Sequence, residues 1–202
     1  MSELTADVAR GTGVELWTLG HSQHEPKHFL DLLRQHEMEL AIDVRSIPYS
    51  YVERYNREAL ERLLADCGLA YDWRGRDLGG IPPDDSFYDA EGHTLYDPLA
   101  ATGWFQKAIG GVEFAAERQR LALVCVEEPP ERCHRHYLLG RVLTGRGAAV
   151  HHIRANGAVE DHAQVEARLT PTQGSLFGED AIWRSPEPMQ DKSHQPRPHP
   201  DF

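Results

Sequence analysis

The chain has 202 residues, 40% of them hydrophobic, which suits one domain with a single buried core. Its formal net charge of -11 argues against non-specific binding to a polyanion, because phosphate contacts need clustered lysine and arginine. No apolar run approaches the roughly 20 residues that span a bilayer, and the acidic N-terminus has no basic-then-apolar leader. Three cysteines are an odd number, so we expect no disulfide framework, no membrane partner and a cytoplasmic location.

Apolar residues in the first half of the chain alternate between strand and helix periods. Residues 14–19 and 40–44 are typical of strands, and the helix between them begins near Pro26. A second helix, capped by Asn56, leads to a third strand near residues 69–73. This order indicates strands joined by crossover helices.

The second half of the chain begins with a predicted loop over residues 74–96, rich in glycine, proline and aspartate. Loops of this length inside a compact domain are often functional. The elements predicted beyond it are a helix over 97–116, a strand over 121–126, a helix over 131–143, a strand over 148–153 and a helix over 159–169. We therefore predict an α/β fold, a single Rossmann-like three-layer domain with a mostly parallel sheet, over residues 14–170.

Both ends of the chain are predicted to lie outside this domain. Residues 1–13 are expected to be a flexible N-terminus. Residues 171–202 are rich in proline and polar residues and cannot bury a core of their own, so they are predicted to be a disordered tail.

Polar residues follow three predicted strands at the point where each strand ends. They are Gly20, His21 and Ser22 after the first strand, Asp43 and Arg45 at the second, and Cys125 and Glu127 at the strand before the Pro-Pro turn. In open parallel sheets, ligands bind outside the carboxyl ends of the strands. The sequence therefore predicts a site at this edge.

Cys133 is the leading candidate for a catalytic group. It opens a predicted helix together with His134 and Arg135, and a helix N-terminus with nearby cations lowers the pKa of a thiol, as a nucleophile requires. The alternative is a small residue packed into the first helical turn. Glu127 is the candidate general acid or base, and His134 is the third candidate catalytic residue.

The other cysteines, Cys67 and Cys125, lie on apolar faces and are predicted to be core residues. A metal site built from Cys125, Cys133, His134 and His21 lacks Cys-x-x-Cys or other zinc-type spacing, so we expect no metal and no cofactor. A redox pair of Cys125 and Cys133 remains a further alternative.

Two arginines are candidate anion-binding residues. Asp43 lies in an otherwise apolar strand and needs a partner if it is buried. Arg45 is either that partner or a bidentate contact for an anionic ligand, and Arg135 is a second candidate anion contact.

Several motifs resemble those of the family called domain of unknown function 488. They are Thr18-Leu-Gly-His-Ser22, Asp43-Val-Arg45 with Pro48 and Ser50, Tyr55-Asn56, Leu78-Gly79-Gly80, and Cys125-x-Glu127 with Cys133-His134-Arg135, in family order over roughly residues 14–155. The resemblance implies an α/β fold and an enzymatic role without an assigned reaction. With the strand ends above, it gives the expected substrate-binding set: Gly20, His21, Ser22, Asp43, Arg45, Ser50, Asn56, Gly79, Gly80 and Arg135.

The chain departs from the family pattern at two positions. Tyr51 replaces an arginine, and Tyr55 replaces a phenylalanine. The first departure removes one cation from the expected site, which weakens the case for a phosphate clamp there.

Residues Gln173, Leu176 and Phe177 resemble the pentapeptide by which bacterial proteins dock on the replication sliding clamp. An extended tail can place Leu176 and Phe177 in an apolar pocket while Gln173 binds its rim. The alternative is a tail that folds Leu176, Phe177 and Trp183 back onto the domain.

Three hypotheses for function follow. The first is an enzyme of hydrolase or transferase type that acts on a nucleotide, nucleoside or nucleic-acid substrate, in DNA repair or nucleic-acid processing. The second is a non-catalytic module recruited to the sliding clamp. The third is a thiol or redox protein.

Overall fold

A six-stranded sheet forms the centre of the computed structural model, which describes residues 13–49, 52–169 and 183–188. The strands are β1 (Glu15–Gly20), β2 (Leu40–Asp43), β3 (Ala70–Trp73), β4 (Leu121–Cys125), β5 (Ala149–Ile153) and β6 (Val159–Asp161). Their order across the sheet is β3-β2-β4-β1-β5-β6. The first five strands run parallel and β6 pairs antiparallel with β5. The prediction of an α/β fold with a mostly parallel sheet is confirmed.

Helices cover both faces of the sheet. They are α1 (Pro26–Gln35), α2 (Arg57–Ala65), α3 (Gly75–Leu78), α4 (Tyr96–Ala100), α5 (Gly103–Ala116), α6 (Arg141–Gly145) and α7 (His162–Leu169). A π-helical turn (Arg135–Gly140) runs into α6, and 3-10 turns occupy Glu53–Tyr55, Asp85–Phe87 and Pro130–Arg132. None of the described helices is long and apolar enough to cross a membrane.

Alternate residues of each strand supply two separate cores, because successive side chains of a strand point to opposite faces. In β4, Leu121, Leu123 and Cys125 pack in the core that also contains α4 and α5. Ala122 and Val124 pack in the second core, with α1 and α2. The apolar faces of α1 and α2 pack on one side of the sheet, and those of α4 and α5 pack on the other.

The helix predicted over residues 131–143 begins later than predicted. Pro130–Arg132 forms a 3-10 turn, and Cys133 follows it in extended backbone with φ -124° and ψ 142°. The helical turns begin after His134, as the π-helical turn. Prolines 129 and 130 restrict their own φ angles and donate no backbone N–H, so the segment leaves the strand by a tight turn before any helix forms. Cys133 therefore precedes the helix instead of opening it.

Two other predicted helices are shorter than expected. The stretch over residues 97–116 is divided at Thr102, whose hydroxyl accepts a hydrogen bond from the backbone N–H of Phe105 and caps α5. The stretch over residues 159–169 begins instead as the edge strand β6. The predicted loop over 74–96 contains α3 and one 3-10 turn.

Residues 183–188, which belong to the predicted tail, pack on the domain. The Trp183 indole N–H donates a 2.8 Å hydrogen bond to the Tyr137 carbonyl oxygen, and its ring packs edge-on against Tyr96. Arg184 forms ion pairs with Asp89 and Glu91. For Trp183, this is the alternative in which the tail folds back onto the domain.

Candidate active site

The three predicted strand ends lie side by side at one edge of the sheet. Gly20 is in register with Cys125, and Asp43 is in register with Val124. The backbone N–H of His21 donates to the Cys125 carbonyl oxygen at 2.9 Å, which extends the ladder one residue past β1. The ends of β1, β2 and β4 are therefore neighbours in the sheet, as predicted.

A cavity of about 450 Å³ opens at this edge. The strand ends contribute Arg45, Ser46, Cys125 and Glu127 to its wall, and His134 comes from the start of the π-helical turn. The long loop before α4 contributes Gly80, Ile81 and Thr94, and the first residue of α4 contributes the Tyr96 side chain. The opposite side is closed by residues 185–188.

Cys125 and Glu127 form a hydrogen-bonded pair in the wall of this cavity. The Cys125 thiol donates a hydrogen bond of 3.2 Å to Oε2 of Glu127. Burial raises the pKa of Glu127 to about 7, and the nearby charge of Cys125 adds to this. A carboxyl group with such a pKa can give and take protons at neutral pH.

Cys133 lies behind Cys125 and makes it more acidic. The hydrogen bond from the Cys133 thiol is the main cause that lowers the pKa of Cys125 well below its usual range, and His134 contributes to the same effect. Burial raises the pKa of Cys133 itself well above its usual range, because its side chain is only 1% exposed. Cys133 does not line the cavity wall. The geometry therefore favours Cys125 over Cys133 as the thiolate.

His134 is placed to contact both sulfur atoms. Its Nδ1 lies 3.7 Å from the Cys125 Sγ and 3.8 Å from the Cys133 Sγ. Burial by itself lowers the pKa of this imidazole, but the adjacent Cys125 outweighs burial and raises the pKa of His134. A thiolate next to an imidazolium is the charge arrangement that activates cysteine nucleophiles.

Arg45 is the buried partner of Asp43. Its Nε and Nη2 donate to the two carboxylate oxygens of Asp43 at 2.8 and 2.5 Å, and its Nη1 donates to the Tyr55 carbonyl oxygen at 2.7 Å. The Tyr71 hydroxyl donates to Asp43 as well. Of the two roles left open for Arg45, the structure favours the ion pair, although Arg45 still reaches the cavity wall.

Arg135, a predicted anion contact, is fully buried and is not among the residues that line the cavity, and its Nε and Nη1 have no hydrogen-bond partner among the described residues. Its role as an anion contact stays a prediction. Its Nη2 donates to the backbone oxygens of Glu127, at 2.7 Å, and Glu128. The guanidinium is therefore a positioning group that fixes the turn carrying Glu127.

His21 is also buried, behind the Asp43–Arg45 pair. Its Nδ1–H donates to the Ser22 carbonyl oxygen at 2.9 Å, and its Nε2 accepts from Arg45 at 3.2 Å. Burial and the charge of Arg45 lower the pKa of His21 to about 4. The ring is therefore neutral at pH 7 and supports Arg45 instead of meeting solvent.

A protein-family model described as Domain of unknown function DUF488 matches residues 25–142, more than half of the chain. The chain belongs to the DUF488 family. Comparison with curated proteins and with solved structures gave no significant match. The family match spans the segments that carry Arg45, Glu127 and His134, so it covers most of the cavity wall.

Glycines let the DUF488 motifs approach one another closely. A Cβ on Gly20 would lie 1.9 Å from the Glu127 carbonyl oxygen, inside any permitted contact. A Cβ on Gly80 would lie 2.7 Å from the Cβ of His134. Gly20 and Gly80 therefore act through backbone packing that holds Glu127 and His134, and Gly79 packs similarly against Ser46.

Sequence reasoning missed several residues of the DUF488 cavity. Ser46, Thr94 and Tyr96 all face it, and the Ser46 hydroxyl accepts a 2.9 Å hydrogen bond from the backbone N–H of Ile81. Arg132 also faces the cavity and forms an ion pair with Glu187 at 2.7 Å. For Thr94 and Tyr96 the available signal is the long predicted loop over 74–96, whereas Ser46 and Arg132 lie outside it.

Several predicted residues of this DUF488 chain lie elsewhere. Ser22 and Asn56 do not line the cavity, and Asn56 occupies the N-cap position of α2. Ser50 and the docking motif Gln173, Leu176 and Phe177 lie outside the described residues, so their roles stay predictions.

A metal could bind within this site, although the sequence spacing predicted none. The ligand atoms of Cys125, Cys133 and His134 all lie within 4.8 Å of one another. Thiolate and imidazole ligands suit zinc. The same geometry also serves a thiolate–imidazolium pair without a metal.

Proposed function

We propose that this DUF488 protein is an enzyme of hydrolase or transferase type in which the Cys125 thiolate is the nucleophile. The observation that carries the proposal is the 3.2 Å contact between the Cys125 Sγ and the Glu127 Oε2 in the wall of the cavity. The lowered pKa of Cys125 and the raised pKa of Glu127 suit this pairing. Cys133, the leading candidate from sequence, becomes the thiol that supports Cys125.

The reaction needs two half-steps. Sulfur attacks the electrophilic atom of the substrate and forms a bond to it, while the bond to the leaving group breaks and the leaving group takes a proton from the Glu127 carboxyl. Water or an acceptor hydroxyl then attacks the same atom, Glu127 takes the proton of the attacker, and the bond to sulfur breaks. The thiolate and the protonated carboxyl are regenerated, so atoms and charge balance.

A nucleoside or nucleotide is the substrate class we propose. The cavity has the size of a small-molecule site and carries hydroxyls from Ser46 and Thr94 that can bind ribose or base atoms. Arg132 can contact a phosphate if Glu187 gives way, because their ion pair is solvent-exposed and therefore weak. A role in DNA repair or nucleic-acid processing belongs to this proposal and rests on the substrate class alone.

Selective alkylation tests the nucleophile. Iodoacetamide should modify Cys125 faster than Cys67 in the native full chain, with the sites read by peptide mass spectrometry. Cys125→Ser should remove the fast phase and Cys67→Ser, the matched control, should keep it. Equal rates at Cys125 and Cys67 would overturn the assignment.

A panel of nucleosides and nucleotides tests the substrate class. The full chain should release product from at least one member, and intact-mass measurement should detect a covalent adduct that Cys125→Ser does not form. Turnover that survives Cys125→Ser would sink the mechanism. Activity confined to substrates without a nucleoside would sink the proposed class.

A thiol redox role is a second candidate, and one specific observation favours it. The Cys125 and Cys133 sulfur atoms lie 3.7 and 3.8 Å from the same nitrogen, Nδ1 of His134, so the two thiols are close neighbours. A mild disulfide oxidant would then convert two thiols into one Cys125–Cys133 disulfide, with two electrons and two protons passing to the oxidant. Peptide mapping after oxidation separates this role from catalysis, since a redox pair cycles reversibly without any nucleoside.

A further inference from the structure

Three buried histidines form a cluster that does not contribute to the cavity wall. His136 lies in the π-helical turn, His152 in β5 and His162 at the start of α7. Their relative exposures are 0%, 0% and 7%. One ring nitrogen of each lies within 4.8 Å of the others. Three segments that are separate in the sequence thus place their imidazole rings next to one another in the interior of the protein.

The distance between two of these rings fits metal coordination. Nε2 of His152 lies 3.3 Å from Nδ1 of His162. Nitrogens bound about 2.0–2.1 Å from a tetrahedral zinc ion lie roughly 3.3 Å apart. The other nitrogen of His152, Nδ1, is 2.7 Å from the Thr18 hydroxyl. When Nδ1–H donates to that hydroxyl, the lone pair of Nε2 is free to bind a cation.

His136 carries the observation that points most directly to a ligand. Its Nδ1 is buried and has no hydrogen-bond partner among the described residues. Its Nε2 lies 3.1 Å from a carboxylate oxygen of Glu166 but, like Nδ1, makes no hydrogen bond among the described residues. Metal-binding histidines commonly have a carboxylate near one ring nitrogen while the other nitrogen binds the metal. In His136, Nε2 is the nitrogen near the carboxylate and Nδ1 is the nitrogen available to a metal. A buried nitrogen without a partner otherwise calls for an explanation.

The backbone is shaped to admit the rings. A Cβ on Gly140 would lie 2.6 Å from Nδ1 of His162, so only glycine lets that ring approach the π-helical turn. π-Helical turns are rare and occur often at functional sites. This one carries both His136 and Gly140.

Charges of both signs surround the cluster. Arg135, the residue before His136, opposes a bound cation. Arg154 and Arg168 are paired with Glu131 and Glu160. The Glu166 carboxylate, next to His136, supplies the balancing negative charge.

We propose that His136, His152 and His162 form a binding site for a divalent transition-metal ion such as zinc. The ligand atoms are Nδ1 of His136, Nε2 of His152 and Nδ1 of His162. Thr18 orients the His152 ring through its hydrogen bond to Nδ1, and the Glu166 carboxylate lies beside the His136 ring. A bound ion would tie the π-helical turn, β5 and α7 together, which is a structural role separate from the Cys125 cavity.

Metal titration of a chain without the two thiols of the cavity region tests the site. The full chain with Cys125→Ser and Cys133→Ser cannot hold a metal through those thiols, and zinc binding is measured by competition with a chromophoric chelator. We expect one equivalent of zinc to bind. Cobalt(II) should give a visible spectrum without the sulfur charge-transfer band that thiolate ligands produce.

Ligand and control variants complete the test. His152→Asn and, separately, His162→Gln should weaken zinc binding by at least about tenfold. His151→Asn is the matched control, because His151 lies in the same strand, stacks on Trp17 and contacts Asp161. Circular dichroism checks that each variant is folded. No zinc binding by the Cys125→Ser, Cys133→Ser chain, or equal binding by the ligand variants and the control, would overturn the proposal and leave a histidine cluster without a metal.

Discussion

The Arg135 guanidinium donates a 2.7 Å hydrogen bond to the backbone oxygen of Glu127, and no part of the Arg135 side chain reaches solvent. Only Nη2 of Arg135 holds the backbone of the turn that carries Glu127, because Nε and Nη1 have no hydrogen-bond partner among the described residues. The hydrogen bond fixes where Glu127 lies relative to Cys125, because only Val126 separates Glu127 from the end of β4.

Arg135→Lys should destabilise the protein by about 2–4 kcal/mol, because a single ammonium cannot reproduce the planar guanidinium and leaves buried carbonyl oxygens without donors. Urea unfolding followed by tryptophan fluorescence measures the change. Arg118→Lys is the control, because Arg118 is exposed and binds only its own helix region. An Arg135 variant no less stable than the Arg118 variant would contradict the positioning role.

Asp43→Asn should cost about 3–5 kcal/mol, because it leaves the Arg45 charge buried without its partner. Asp31→Asn, which removes the exposed partner of Lys27, should change stability little. Equilibrium unfolding at pH 7 compares the two variants. Similar losses in both would mean that the Asp43–Arg45 pair is not the buried ion pair described here.

The strand ends could be predicted from sequence because alternation and strand polarity follow from local pattern. Gly20, Asp43 and Cys125 were assigned to one edge, and the register places them there. The roles of Arg45 and Arg135 could not be predicted, because they depend on which buried acceptors lie within reach after folding. The apolar strand predicts Cys125 to be a core residue, and it is buried, but the hydrogen bond from Cys133 that lowers its pKa against the effect of burial depends on the fold.

His21 should make the protein sensitive to mild acid. Its pKa is lowered from 6.5 to about 4 in the folded state, so the unfolded chain binds the proton first as pH falls. The contribution of His21 to the free energy of unfolding is fully present above pH 6.5. It is lost progressively as the pH falls to about 4, by roughly 3 kcal/mol. The stability difference between wild type and His21→Gln should shrink by that amount between pH 7 and pH 4. Parallel pH curves would contradict it.

Glu127 should make the protein less stable as the pH rises, which is opposite to the effect of His21. Its pKa is raised from 4.5 to about 7, so the folded state holds the proton more tightly than the unfolded chain. The stabilisation present below pH 4.5 is lost as pH rises through 7, by on the order of 3 kcal/mol. Relative to wild type, Glu127→Gln should therefore gain stability between pH 4.5 and pH 8. Unfolding curves at these two values measure the difference, and an unchanged gap would show that Glu127 is not held protonated.

Trp183 should control access to Cys125. Its indole anchors residues 183–188 through the Tyr137 carbonyl oxygen, and residues 185–188 form one side of the cavity. Trp183→Ala should release this segment and raise the alkylation rate of Cys125 several-fold, since the reagent reaches sulfur through the opening. Trp104→Ala removes another tryptophan, 40% exposed on α5, and should leave the rate unchanged. The prediction is contradicted if Trp183→Ala leaves the alkylation rate of Cys125 unchanged and protease cleaves residues 183–188 no faster than in the wild type. Other contacts, such as the Arg184–Asp89 ion pair, would then hold the segment on the domain.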